Sequence, residues 1–372
     1  MDDDERRPAA PQGTQASHTG MFGRIERFVL GTSSAADRTQ ARQWWGGFPY
    51  AVFKKYSDDG GSRLAALLTY YGFLSLFPLA LVFVAVLTMV LQGNEQLRND
   101  LLEQLFGANY SDAIVNSYEQ LPSGGLPLLI GLVGLLLSGM GGAFALYVAL
   151  NQIWAVPWRR RFGFGPRYLR VLGMLVVLGL GAVTVAAAGV LAATVPVLST
   201  VSRLLLVVAS AVVATLVLII ATKVLTARTM RRNEYLLGCV LGGLVVSLVF
   251  AIGSPLLARL VSNASAVYGV FATVIGILTL FYLTAQSIII CMEVSAVRAW
   301  KLWPRGLDIN LLFPADWRAY QLLAFIDERM PSQENSVRFD RSGNDDPDRD
   351  DDEKLRARGS DPLSPYDSFT TE

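Results

Sequence analysis

The chain has 372 residues, a formal net charge of +1 and 52% apolar residues. Apolar content of that size, concentrated in long runs, excludes a pair of soluble domains and leaves room for one membrane domain with polar tails. The near-neutral total hides an asymmetry: basic residues gather beside the apolar runs, and acidic residues gather toward the C-terminus.

Residues 1–20 (MDDDERRPAAPQGTQASHTG) are polar and hold no apolar h-region, so no secretory signal peptide is expected and the first span must act as the insertion signal. Together with residues 331–372, they lack the apolar surface that offsets ordering entropy, and both tails are predicted to be disordered. Residues 21–63 are expected to form a cytoplasmic interfacial segment. There Phe22, Phe28, Trp44, Trp45, Phe48 and Tyr50 are mixed with basic residues, which suits a helix lying on the inner leaflet.

Six apolar runs follow, at roughly 65–91, 126–150, 171–195, 204–222, 236–258 and 270–292, each able to cross a hydrocarbon core of about 30 Å as a helix. Runs this long and continuous satisfy their backbone polar groups as helices. The fold class is therefore all-α, a polytopic six-span membrane domain over residues 64–300. Between spans 1 and 2, Leu97, Leu101, Leu102, Leu105 and Phe106 recur at helical spacing, which predicts amphipathic helices on the outer face.

Basic residues in short loops are retained on the cytoplasmic side. Lys54, Lys55 and Arg63 precede span 1; Arg159, Arg160, Arg161, Arg167 and Arg170 separate spans 2 and 3; Lys223, Arg228, Arg231 and Arg232 separate spans 4 and 5. Arg298, Lys301 and Arg305 follow span 6, whereas the opposite loops hold only Arg98, Arg203 and Arg259. Both termini are predicted to be cytoplasmic. Topology alone accounts for most of these clusters, with binding of anionic lipid headgroups as the more specific reading.

Cys239 and Cys291 fall near the inner ends of spans 5 and 6 and read as packing residues rather than a disulfide. The juxtamembrane segment 301–330 carries Leu311, Leu312, Phe313, Trp317, Leu322, Leu323 and Phe325, which suits an interfacial helix or one packed beneath the membrane domain. Beyond it, the acidic run from Asp345 to Glu353 reads as a solvated segment, with docking of a basic partner as the weaker alternative.

Polar residues inside the spans are few and lie toward the inner side. Tyr70, Tyr71 and Ser75 occupy the first half of span 1, Asn151 and Gln152 end span 2, and Gln286 and Glu293 stand in the last third of span 6. An ionised side chain at a helix centre costs about 2.5–3.5 kcal/mol on insertion scales, so such groups face the bundle interior, water or a partner. Glu293 is the leading candidate for a proton or substrate site, with Gln286, Asn151, Gln152, Tyr71 and Ser75 as hydrogen-bonding neighbours. An interfacial carboxylate paired with a nearby Arg or Lys explains Glu293 equally well. Pro78 removes a backbone hydrogen bond from span 1 and permits a bend. Gly134, Ser138 and Gly142 of span 2, and Gly238 and Gly242 of span 5, have small-residue spacing that serves close packing or a dimer. The SGMGG stretch, with Gly139, Gly141 and Gly142, suits packing or a hinge.

LLTYYGFLSLFPLAL from Leu67 to Leu81, ALNQIW from Ala149 to Trp154, ASAVYG from Ala264 to Gly269 and CMEVSAV from Cys291 to Val297 resemble the YihY/BrkB family of bacterial inner-membrane proteins. Tyr71, Ser75, Leu76, Phe77 and Pro78 match that family's first motif. Glu293 matches the acidic residue of its last, while Cys291 and Ser295 depart from that motif's Gly and Asn. The resemblance implies six spans and a place in the bacterial inner membrane, with links to serum resistance or to export of lipids and small amphiphiles. The family also carried an early label as a tRNA-processing ribonuclease. A metal-dependent nuclease needs clustered His and Asp ligands, yet the only histidine is His18 in the N-terminal tail.

The leading expectation is a carrier or flippase-like exporter of a lipid or amphiphilic solute, with a cytoplasm-facing cavity bordered by spans 1, 2 and 6. Its expected partners are membrane lipids and that substrate. No cofactor, metal, nucleic acid or enzymatic activity is expected. A non-transporting envelope scaffold is the alternative.

Overall fold

The structure, a computed structural model, describes residues 44–90, 126–194, 200–262, 266–306 and 313–337. These form eight helices: α1 (Trp44–Asp58), α2 (Gly61–Val90), α3 (Leu126–Ile153), α4 (Phe164–Thr194), α5 (Thr200–Leu225), α6 (Arg232–Ser262), α7 (Ala266–Ala299) and α8 (Pro314–Ile326), with a 3-10 turn at Trp158–Arg160. No strand occurs among the described residues. Five helices, α3 to α7, are long and apolar enough to cross a membrane by length and composition. The predicted outer helices after span 1, the N-terminal tail and the acidic run lie outside the described residues.

The helices outrun the apolar stretches that announced them. α4 begins at Phe164 rather than near 171, and so includes Arg167 and Arg170; α7 continues past the apolar run through Glu293 to Ala299. Hydropathy marks the hydrocarbon slab, whereas the hydrogen-bonded ladder continues into the interface until a cap stops it.

Packing follows a closed circuit. α2 packs on α3, α3 on α4, α4 on α5, α5 on α6, α6 on α7, and α7 back on α2. The last three turns of α3 fill the middle of this circuit at its basic end, touching α5 and α7 as well. Tyr147, Leu150, Ile153 and Trp154 are fully buried there with Leu225, Tyr235, Ile289 and Met292. Lipid tails supply no hydrophobic drive between helices, so close backbone approach has to hold the circuit together. At Gly238 of α6 a β-carbon would stand 2.6 Å from the Cys291 carbonyl of α7, and the Gly238 N–H donates to Ser295 Oγ at 2.6 Å. The two cysteines are buried and free, one on each of these helices.

A second, smaller core lies under the basic end. Ala51 and Val52 of α1 meet Ala155, Val297, Leu302 and α8 residues Ala319, Leu322 and Ile326. α8 is thus a helix packed beneath the bundle, the second of the two arrangements its sequence allowed. The chain stays attached beyond α8. Asn335 donates to the Glu328 carboxylate at 3.1 Å and to the Ala324 carbonyl at 2.9 Å, so the first residues of the tail predicted to be disordered are held by hydrogen bonds.

Three helix ends at the basic face stop with a left-handed residue. α3 ends with Val156 N–H on the Asn151 carbonyl and Ala155 N–H on the Gln152 carbonyl, with Ala155 at φ 49°. α7 repeats the arrangement with Lys301 at φ 51°, and α1 closes at Gly60, φ 67°. This is the Schellman pairing, which favours glycine at the left-handed position because a β-carbon there costs about 1–2 kcal/mol. Lys301→Gly, at an exposed left-handed position, is therefore expected to stabilise the protein by about 1 kcal/mol, read as a raised unfolding midpoint of the full chain in lipid nanodiscs; a lowered midpoint would contradict the assigned cap.

Candidate functional site

The capped ends of α1 and α3 meet α7 at one buried ionic cluster. Lys55 stands in the last turn of α1 and Asp59 one residue past its end, with the Asp59 N–H still bonded to the Lys55 carbonyl, so both side chains leave the same face. Lys55 Nζ lies 2.5 Å from Asp59 Oδ2, 2.8 Å from Glu293 Oε2 of α7 and 3.1 Å from the Ile153 carbonyl at the end of α3. Its hydrogen bonds go to Asp59 and to the Ile153 carbonyl, and Glu293 faces it as an ion pair. The Ile153 carbonyl belongs to the last turn of α3, where the helix leaves carbonyls unpaired and presents the negative end of its dipole. Lys55 and Asp59 are almost fully buried, and Glu293 has no exposed surface.

Burial works to discharge Lys55, but the Asp59 and Glu293 carboxyls outweigh it and leave the ammonium bound more firmly than in free lysine. Burial raises the Asp59 carboxyl above its ordinary value, with Lys55 and a hydrogen bond to Glu293 pulling the other way. Beyond its ion pair with Lys55, neither Glu293 carboxyl oxygen makes a hydrogen bond of good geometry.

A second shell of charge lies outward. Arg305 binds Asp58 at 2.7 Å and Asp316 at 3.0 Å, and Asp316 also takes Lys54 at 3.1 Å. Asp316 further accepts the Gly306 N–H at 2.8 Å and the Phe313 N–H at 3.3 Å, which anchors the start of α8. A narrow crevice of about 10 Å³, room for about one water, runs between the shells beside Lys55, Asp58, Asp59 and Arg305, beneath Leu322 and Ile326 of α8. Counted together, the linked side chains are three cations (Lys54, Lys55, Arg305) against four carboxyls (Asp58, Asp59, Asp316, Glu293).

The residues singled out in the sequence divide into two groups. Glu293 and Gln286 share a face of α7 with this cluster, and Gln286 donates to the hydroxyl of Tyr56, the residue after Lys55, at 3.2 Å. Asn151 is fully buried, but its amide is committed elsewhere: it donates to the Tyr147 and Leu225 carbonyls at 2.7 and 2.9 Å and accepts the Ala227 N–H at 2.9 Å, clamping the end of α5. Gln152 is half-buried, and its backbone carbonyl serves the α3 cap. Ser75 donates to the Gly72 carbonyl of its own helix at 2.7 Å.

Tyr71 lies flat against α3, where a β-carbon at Gly141 would overlap its ring and Gly142 faces its β-carbon. Pro78 meets Gly134 in the same seam, and Gly139 instead admits Leu175 of α4. Sequence reasoning counted Lys55 and Arg305 as topology signals and passed over Asp59 and Asp316. The available clue was a Lys and an Asp at i, i+4 directly before Gly60, Gly61 and a span.

The chain matches the family model described as Virulence factor BrkB over residues 52–306. No curated protein and no solved structure matches it.

Removing one member of a buried ion pair costs about 3–5 kcal/mol, because its partner stays buried and uncompensated. Lys55→Met, which orphans two carboxyls, is expected to lose that much, while Glu293→Gln keeps the shape and loses about 1 kcal/mol or less. Unfolding midpoints of the full chain in nanodiscs decide the matter; a milder effect from Lys55→Met than from Glu293→Gln would contradict the described pairing.

Proposed function

The chain belongs to the BrkB family, and on that premise we propose that it is a six-span carrier of the bacterial inner membrane, with both termini cytoplasmic, that moves a lipid or amphiphilic solute. α2 supplies the sixth span, and the cavity opens between α2, α3 and α7. The observation that carries this reading is the ionisable cluster around Glu293 of α7. Groups of this kind are costly to hold beside a hydrocarbon core, and they mark pathways and relays in membrane proteins.

Asp59 and Glu293 hold one shared proton in the closed arrangement. The count of four carboxyls against three cations supports this, as does the absence of any further ion pair to Glu293 among the described residues. The groups that face the pair are Lys55 and Tyr56 of α1, Asp58 beside Asp59 and, across the crevice, Arg305, while Tyr282 and Gln286 of α7 act on Tyr56. The cluster joins three elements, so any separation of α7 from α1 and α3 pulls Glu293 off Lys55 and admits water. Proton exchange and opening of the inner face then become one event. The Tyr71 and Pro78 seam against the glycines of α3 gives α2 a smooth surface on which to slide, and Ser75 and Gln286 border the opened space.

Cells lacking the protein, expressing it, or expressing Glu293→Gln provide the test, through the lipid and amphiphile content of cells and medium. The expected result is an amphiphile retained inside cells without the protein, released by the wild type, and retained again in the Glu293→Gln cells at equal membrane abundance. Identical profiles in all three would contradict a carrier and favour a scaffold.

A further inference from the structure

A second unusual site lies where α3 turns into α4. Arg161, Arg167 and Arg170 form no ion pair among the described residues. Instead they surround one aromatic group. Phe144 stacks on Tyr147 at 5.8 Å and Tyr147 meets Phe162 at 6.4 Å. The Arg170 guanidinium sits 3.6 Å from the Phe162 ring centre, and that of Arg167 sits 5.6 Å from Phe144 and 5.3 Å from Tyr168. Arg161 lies 3.9 Å from the ring of Trp158, and all three arginines act electrostatically on Tyr147.

Their donors are underused. Arg161 is 9% exposed; its Nε reaches the Val156 carbonyl at 3.1 Å, but Nη1 and Nη2 are buried without a hydrogen-bond partner. Arg170 gives one bond, to the Val224 carbonyl at 3.2 Å, and Arg167 Nε is also buried without a partner. The nearby carboxylates do not fill the gap. Glu328 is taken by Arg159 at 2.7 Å, and Asp327 acts on Arg161 without forming an ion pair. Burial pushes the Arg161 guanidinium down to about 10, against only weak support from Tyr147 and Asp327. A buried donor set of this charge costs free energy unless an acceptor is supplied.

We infer that this corner is a binding site for a phosphate group of net negative charge, held by the two free Nη donors of Arg161 and by the charges of Arg167 and Arg170. The parallel donors of a guanidinium match two phosphate oxygens. Trp158 stacks on Arg161 and is itself 42% exposed. An anionic phospholipid headgroup and a free phosphate share this chemistry. The inference stands apart from the carrier reading, because it rests on none of the residues of the Lys55 cluster.

The test follows the unfolding midpoint of the full chain in two settings. In non-ionic detergent, inorganic phosphate is titrated against sodium chloride at matched ionic strength; in nanodiscs, phosphatidylcholine is compared with phosphatidylcholine containing phosphatidylglycerol. A midpoint raised by inorganic phosphate assigns a free anion, and one raised only by phosphatidylglycerol assigns a headgroup. Either supports the site if Arg161→Gln weakens the response about tenfold or more, with Arg161→Lys between the two. Should Arg161→Gln fail to fold, the paired variant Arg167→Gln, Arg170→Gln must show the same weakening. The inference is overturned if neither ligand raises the wild-type midpoint, or if the response survives in these variants.

Discussion

Everything at the basic end of this molecule depends on where the Lys55 ammonium can find its acceptors. It is buried, and its partners are Asp59 just past its own helix, the Ile153 carbonyl at the end of α3 and, as an ion pair, Glu293 on α7. A lysine in that position cannot leave without exposing two carboxyls to an apolar interior, and it cannot stay unless the ends of α1 and α3 are held within a few ångströms of α7. The caps at Gly60 and Ala155 end α1 and α3 beside the cluster, whereas α7 presents Glu293 from well before its own end at Ala299. α8 then closes the arrangement from below through Asp316, whose carboxylate binds Lys54, Arg305 and two backbone N–H groups.

The rest of the bundle is held by a different force. Between the apolar helices the contacts are steric, made where glycine lets one helix lie against another, as Gly238 does with Ser295 and Gly141 with Tyr71. Such contacts specify position with little polar bonding. Among the described residues the ion pairs gather at the basic end, where they tie α1, α7 and α8 together.

Much of the architecture was readable in the sequence because hydropathy reports the hydrocarbon slab directly. Long apolar runs announced the helices, and small residues at four-residue spacing announced the seams. Glu293 stood out because a carboxylate in such a run has few tolerable surroundings. Its partners did not stand out. Lys55 lies among basic residues whose topological role already explained them, and Asp59 sits in a turn, where a carboxylate is ordinary. Asn151 looked like a site residue, yet two of its partners are the Leu225 carbonyl and the Ala227 N–H, more than seventy positions away, which no local pattern reveals. The role of α8 was half readable: its apolar residues gave a helix, but only packing against Ala51, Val52 and Leu302 separates a docked helix from one lying on the membrane.

The central claim is that the Asp59 and Glu293 pair carries one proton beside a charged Lys55. The most direct measurement is the infrared carbonyl band of a protonated carboxylic acid, recorded on the full chain in lipid nanodiscs at neutral pH. The band is expected in the wild type and in Asp316→Asn, and is expected to be missing in Glu293→Gln. A wild-type spectrum showing ionised carboxylates alone would contradict the claim.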